Sequence, residues 1–186
     1  MYINNKILVG KSDKKELSIS LDKANRHGLI TGASGSGKTI TLKSKPKIIS
    51  SAGVVGKKEG QGPLGKDFDE VFSDTTLGQE SWEKAESKFV KQAISVALKK
   101  ARLAPEDIDY IFAGDLLNQC TGSSFGLKDF DIPFFGLYGA CSTMAESLCL
   151  ASMLVDGGYL QHAVCTASSH FCTAERQYRF PLEYGC

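Results

Sequence analysis

The chain has 186 residues, 22 of them basic and 21 acidic, for a formal net charge of +1; it is long enough to bury a core and too evenly charged to be drawn as a whole to nucleic acid or an anionic membrane surface. Hydrophobic residues make up 42%, in runs too short and interrupted for a membrane span, and the N-terminus "MYINNKILVGKSDKK" lacks the long apolar core and cleavage site of a secretory signal. The expected location is the cytoplasm, where six cysteines (120, 141, 149, 165, 172 and 186) with no CxxC pair read as thiols.

From the N-terminus, a strand is expected over Lys6 to Val9, a second extended run over Glu16 to Leu21, and an apolar strand at Leu29 and Ile30 that leads into "GASGSGKT". Gly32, Gly37, Lys38 and Thr39 satisfy GxxxxGK[ST], with Gly35 inside the loop. Glycines let successive backbone N–H groups converge on phosphate oxygens, Lys38 would reach the terminal phosphates of ATP, and Thr39 would hold magnesium. "DKANRHGLITGASGSGKTITLK" resembles the opening of the hexameric translocase and helicase-like P-loop ATPases, over residues 1–43. In that family the helix after the loop runs for several turns. Here Pro46 forces Lys45 out of helical geometry and allows about two turns. The only later candidate for the family's acidic strand end is Asp115, closing "IDYIFAGD". "SSAGVVGKKEGQGPLG", between them, shows no second strand of an ATPase sheet.

From residue 44 onward the pattern is continuous. "SWEKAESKFVKQAISVALKKARL" places Trp82, Ala85, Phe89, Ala93, Val96, Ala97 and Leu103 at helical spacing, so an amphipathic helix with an apolar core stripe is expected from Ser81 to Ala101. "APEDI" reads as a turn, and "DYIFAGDL", "IPFFGLYGA" and "HAVCTASS" as strands. Between the last two strands lies a helix from Cys141 to Val155, ended by Gly157 and Gly158. Its Met144, Leu148, Cys149, Ala151, Leu154 and Val155 leave little polar face, which predicts burial. Strands alternating with helices argue for an α/β layered fold.

Cys141 stands out. It follows a strand and the Gly139-Ala140 turn and opens the helix, where unpaired N–H groups and the helix dipole attract negative charge. That setting suits a nucleophile or a ligand contact; a small hydrophobe packed at a helix start fits the same spacing. His170 ends a strand, where either a site residue or a solvent-facing His belongs. Arg176 and Arg179 have the bidentate geometry for carboxylates, or pair with Glu175 or Glu183. Asn118 and Asp115 follow a strand end and could line a pocket. Glu146, in an apolar helix, requires a partner or an exit to water.

The ordered blocks "IISSAGVVGKKEGQGPLG", "AGDLLNQ", "FGLYGACSTMAESLCLASMLVDGGY", "CTASSH" and "AERQYRFPLEYG" resemble the stage V sporulation protein AD family of spore-forming bacteria, over residues 44–186. The resemblance implies an incomplete thiolase-like layered α/β domain behind a partial P-loop strand-loop-helix segment. It also implies binding of dipicolinic acid, its uptake into the developing spore, and contact with other stage V sporulation proteins at the spore inner membrane, with a peripheral place at the forespore membrane and a homodimer when complete. The implied ligand contacts are Cys141, His170, Arg176 and Asn118. Cys141 falls at the nucleophile position of thiolases and ketosynthases, whose partner histidines come from a second half of the fold that the chain is expected to lack. Acyl transfer from coenzyme A through Cys141, and ATP binding at Lys38, are the alternative functions. A fused or truncated reading frame, joined at Lys43 and Ser44, is a further expectation.

Overall fold

In a computed structural model of the chain, residues 2–3, 6–11, 16–20, 42–116 and 120–169 are described. Contacts divide it into two compact units, Met1–Lys43 and Ser44–Cys186.

The first unit contains an antiparallel meander of β1 (Tyr2–Ile3), β2 (Lys6–Lys11) and β3 (Glu16–Ser20). Ile7 pairs with Ile19, and the register shifts between Leu8 and Gly10. β2 and β3 match the two expected runs to within two residues; β1 was not foreseen. Gly32, Gly35, Gly37, Lys38 and Thr39 lie outside the described residues. Residues 42–46 carry no helix, and Lys45, before Pro46, sits outside the right-handed helical region at φ 53.

The second unit opens with a small element that the sequence reading missed. β4 (Val54–Gly56) pairs in parallel with β5 (Glu70–Phe72), across the one-turn α1 (Lys57–Gly60). Three-residue strands in a glycine-rich run leave almost no periodicity to read. The main helix α2 (Trp82–Ala101) starts where Ser81 Oγ accepts the Lys84 N–H at 3.3 Å, an N-cap that satisfies one orphan donor. It stops at Arg102, left-handed at φ 59, with the Leu103 N–H returning to the Leu98 carbonyl at 3.1 Å, a Schellman-type closure.

The buried line of α2 is Ala85, Glu86, Val90, Ile94 and Leu98, rotated from the expected stripe. Phe89 instead meets Phe72 of β5 edge-on at 5.8 Å. Ser50 Oγ to the Ala97 carbonyl (2.7 Å) and Gln92 to Glu70 (2.9 Å) fasten the helix to its other neighbours.

The core joins Val90, Ile94 and Leu98 to Ile108, Ile111, Ala113 and Leu127. Each large aliphatic here contributes about 1.5–3 kcal/mol on burial. The sheet is all-parallel in the order β7-β6-β8: β6 (Tyr110–Asp115) at the centre, β7 (Phe134–Gly136) and β8 (Ala163–Ser168) at its sides. The second unit is thus mixed helix and parallel sheet, an α/β arrangement. β6 is buried from Ile111 to Asp115, as a continuous apolar run in a parallel sheet implies. β7 is shorter than "IPFFGLYGA" suggested.

α3 (Thr121–Leu127) lies against α2, so close that a Cβ on Gly126 would come within 2.6 Å of the Ser87 carbonyl oxygen; only glycine permits that approach. α4 (Thr143–Asp156) begins after a 3-10 turn over Ala140–Ser142 and ends at Gly157 and Gly158. Asp156, at its last residue, accepts the Ser44 N–H and Oγ–H at 2.5 and 2.8 Å. No helix among the described residues is long and apolar enough to cross a membrane.

α4 departs from expectation in its exposure. Its buried residues are Thr143, Ser147 and Ala151, while Met144, Leu148, Cys149, Leu150 and Met153 are exposed. Small side chains face the sheet because the helix packs close to it, so the large apolar ones are turned away.

Candidate functional site: the turn that carries Cys141

The site is built at the carboxyl end of the parallel strands, where open α/β sheets present their ligand-binding loops. β6 ends with Gly114 and Asp115, and alternation sends them to opposite faces. On the Gly114 side, α4 lands directly on the strand: a Cβ there would lie 1.9 Å from the Leu137 oxygen and 2.7 Å from Thr143 Cγ2. Glycine is therefore what lets the loop after β7 and the first residue of α4 reach the strand.

The loop continues from β7 through Leu137, whose N–H donates to the Ala113 carbonyl at 2.8 Å, into the 3-10 turn. Ala140 is left-handed at φ 50, a conformation that costs a non-glycine residue about 1 kcal/mol and is kept only where neighbours enforce it. The Ser142 N–H and Oγ both lie on the Gly139 carbonyl, at 3.0 and 2.8 Å. Thr143 Oγ1 accepts the Gly139 N–H at 3.2 Å. Cys141, in the middle of this turn, is exposed; it precedes α4 rather than opening it as a buried helix residue.

Other cysteines differ. Cys120 is buried at the start of α3, left-handed at φ 63, and its Sγ–H donates to the Leu137 carbonyl at 3.2 Å. Burial, with the Asp115 carboxylate as a second cause, pushes its thiol up. Burial likewise raises Cys165, against a smaller opposing hydrogen bond from Ser147. Both are held as neutral thiols, which are poor nucleophiles. No disulfide joins Cys120, Cys141, Cys149 and Cys165, and no group of metal-ligating side chains occurs among the described residues.

On the opposite face, Asp115 is buried at 2% exposure and accepts the N–H and Oγ–H of Ser123, each at 2.7 Å. It anchors α3, a different task from lining a pocket beside Cys141. Ser168, its partner across the last rung of β6 and β8, donates to Glu86 at 2.8 Å. Glu86, 1% exposed on α2, was overlooked in the sequence, although Glu86, Val90, Ile94 and Leu98 recur every four residues and so share one face. Glu146 takes the exit to water: it is exposed and accepts from Ser142 Oγ at 2.6 Å. Thr143, two residues after "GAC", was also missed.

Of the expected ligand contacts, Cys141 alone is described; Asn118, His170 and Arg176, with Arg179, lie outside the described residues.

Two family models match the chain, with an overlap at residues 36–57. A family model described as stage V sporulation protein AD matches residues 36–186, and one described as helicase HerA-like C-terminal matches residues 5–57. The stage V sporulation protein AD of Bacillus subtilis (strain 168) is 45% identical over 150 residues, covering 80% of this chain. The chain spans 44% of that relative's length. Two solved structures are similar. One is 3-oxoacyl-[acyl-carrier-protein] synthase III from Aquifex aeolicus VF5, with 23% identity, a TM-score of 0.41, and coverage of 46% of this chain and 30% of that one. The other is the priming β-ketosynthase of the R1128 polyketide pathway, with 21% identity, a TM-score of 0.42, and coverage of 49% and 30%.

Proposed function

The chain belongs to the stage V sporulation protein AD family, and from that premise we propose that it serves sporulation by binding dipicolinic acid and assisting its uptake into the developing spore. The observation that carries the reading is the exposed Cys141 on its left-handed turn at the carboxyl end of the sheet, inside the stretch that matches the family. Such a turn gives a planar ligand access from solvent. Arg176 is proposed to grip one carboxylate of the pyridine-2,6-dicarboxylate bidentately. His170 and Asn118 complete the contacts, and the partners are other stage V sporulation proteins at the spore inner membrane. Calorimetric titration of the 186-residue chain with dipicolinate tests this. Measurable heat, with affinity reduced at least about tenfold in Arg176→Ala, supports it; no heat from the wild type ends it.

The same exposed thiol favours a second reading, acyl transfer. Cys141 sulfur would attack the thioester carbonyl of an acyl-CoA, the carbonyl–sulfur bond to coenzyme A would break, and coenzyme A would leave as the thiol with the proton Cys141 gives up. A mass increase of one acyl group on Cys141 supports this route, and an unchanged mass after incubation retires it.

For residues 1–43 we propose a separate, fused phosphate-binding segment, with ATP at Gly32, Gly35, Gly37 and Lys38 and magnesium at Thr39; the helicase HerA-like match supports it. Unchanged nucleotide affinity in Lys38→Ala would refute it.

A further inference from the structure

We propose that Thr143 is the positioning residue of the Cys141 turn, holding Ala140 in its left-handed conformation so that the thiol stays presented to solvent. The residue bridges two surfaces with its two branches. Its methyl seats against the central strand, where a Cβ on Gly114 would lie 2.7 Å from Thr143 Cγ2. Its hydroxyl accepts the Gly139 N–H at 3.2 Å, and its own N–H donates to the Ala140 carbonyl. The side chain is 1% exposed, so water does not compete for the hydroxyl and the buried methyl cannot swing away.

The turn needs such a clasp. Ala140 at φ 50 carries a Cβ where the backbone disfavours one. Left to itself, the segment would relax to an ordinary negative φ and carry Cys141 with it. Two backbone bonds oppose that relaxation, Ser142 N–H to the Gly139 carbonyl and Thr143 N–H to the Ala140 carbonyl, while the one Ser142 hydroxyl proton is shared between the Gly139 carbonyl and Glu146. These act on carbonyls or belong to the turn itself. Thr143 Oγ1 on the Gly139 amide is the bond that ties the turn's entrance to a side chain fixed on β6.

The proposal rests on Cys141 being the ligand contact only for what the turn is used for; its central claim concerns the presentation of the thiol. The experiment uses the full chain and iodoacetamide at neutral pH, with mass spectrometry following Cys141 and, as an internal control, Cys149, which is exposed on α4. Thr143→Val keeps the methyl and removes the acceptor. Its Cys141 rate is expected to fall about fivefold, the effect of losing one hydrogen bond, with the Cys149 rate unchanged. Thr143→Ser, which keeps the acceptor and loses only the methyl seated against β6, is expected to react at a rate between those of Thr143→Val and the wild type. In an Ala140→Gly background, where the backbone takes positive φ without help, the Thr143→Val effect shrinks below about twofold by the coupling expected of contacting residues.

An unchanged Cys141 rate in folded Thr143→Val overturns the proposal, as does a parallel slowing of Cys141 and Cys149. If Thr143→Val does not fold, an unchanged Cys141 rate in Thr143→Ala, which lacks both branches, overturns it instead. Wild-type protein that shows these rates but gives no heat with dipicolinate keeps the positioning role and loses the ligand, so the two readings fail separately.

Discussion

Asp115 Oδ2 receives two bonds from one residue, the amide and the hydroxyl of Ser123, each at 2.7 Å. A buried carboxylate satisfied in this way pins the first turn of α3 to the end of β6. Ser123→Ala removes one charge-assisted bond and is expected to lower stability by about 1–3 kcal/mol. Urea unfolding monitored by circular dichroism checks it, and the Cys141 alkylation rate of the folded variant should remain that of the wild type.

Thiol accessibility should sort the described cysteines into two classes. Iodoacetamide under native conditions is expected to modify Cys141 and Cys149 quickly and the half-buried Cys165 and buried Cys120 slowly, because burial limits access and raises both thiols. Peptide mass mapping of native and urea-treated protein separates the two classes.

Arg102 closes α2 at φ 59, where glycine has no Cβ to strain. Arg102→Gly should raise stability by about 0.5–1 kcal/mol. An unchanged or lower urea midpoint would mean that unfolded-chain entropy outweighs the relieved strain.

Acid should loosen the start of β8. Asp109 accepts the Gln161 and His162 N–H groups at 2.7 and 3.0 Å, and these amides, His162 first, hold its carboxyl below the ordinary value of 3.8. A carboxyl lowered on folding adds stability above its unfolded pKa and loses that contribution as pH falls through the lower folded value. The urea midpoint is expected to drop as the pH falls through and below the ordinary value of 3.8, less steeply in Asp109→Asn.

α4 bears four large apolar side chains, Met144, Leu148, Leu150 and Met153, each at least 37% exposed. Met144 and Leu148, four residues apart, lie next to one another on its surface, and exposed apolar surface of this kind promotes association. Light scattering is expected to show a dimer or larger species, and the paired change Met144→Glu, Leu148→Glu should move it toward monomer. A wild-type monomer would contradict this.

Legibility followed the range of the interactions. α2 could be read from 3.6-residue spacing with charge between the apolar positions, and β6 and β8 from short apolar runs, because those signals are local. β4 and β5 left no local signal: each is three residues long and exists through its pairing. The Cys141 turn was half legible. "GAC" marked a tight approach, while the left-handed Ala140 and the Thr143 clasp depend on Gly114, about thirty residues earlier in the chain.

By itself, then, the sequence determined the longer elements, α2, α4, β2, β3, β6 and β8, where the thiol of interest lies, and the block pattern that ties the chain to its family. Tertiary structure decided which faces those segments bury. Thr143, Ser147 and Ala151 meet the sheet because small side chains allow α4 its close approach, so the larger apolar ones point outward. It also decided that Asp115 anchors a helix on the face opposite Cys141. Periodicity records that a helix or strand has two sides, but only the partner packed against it chooses between them.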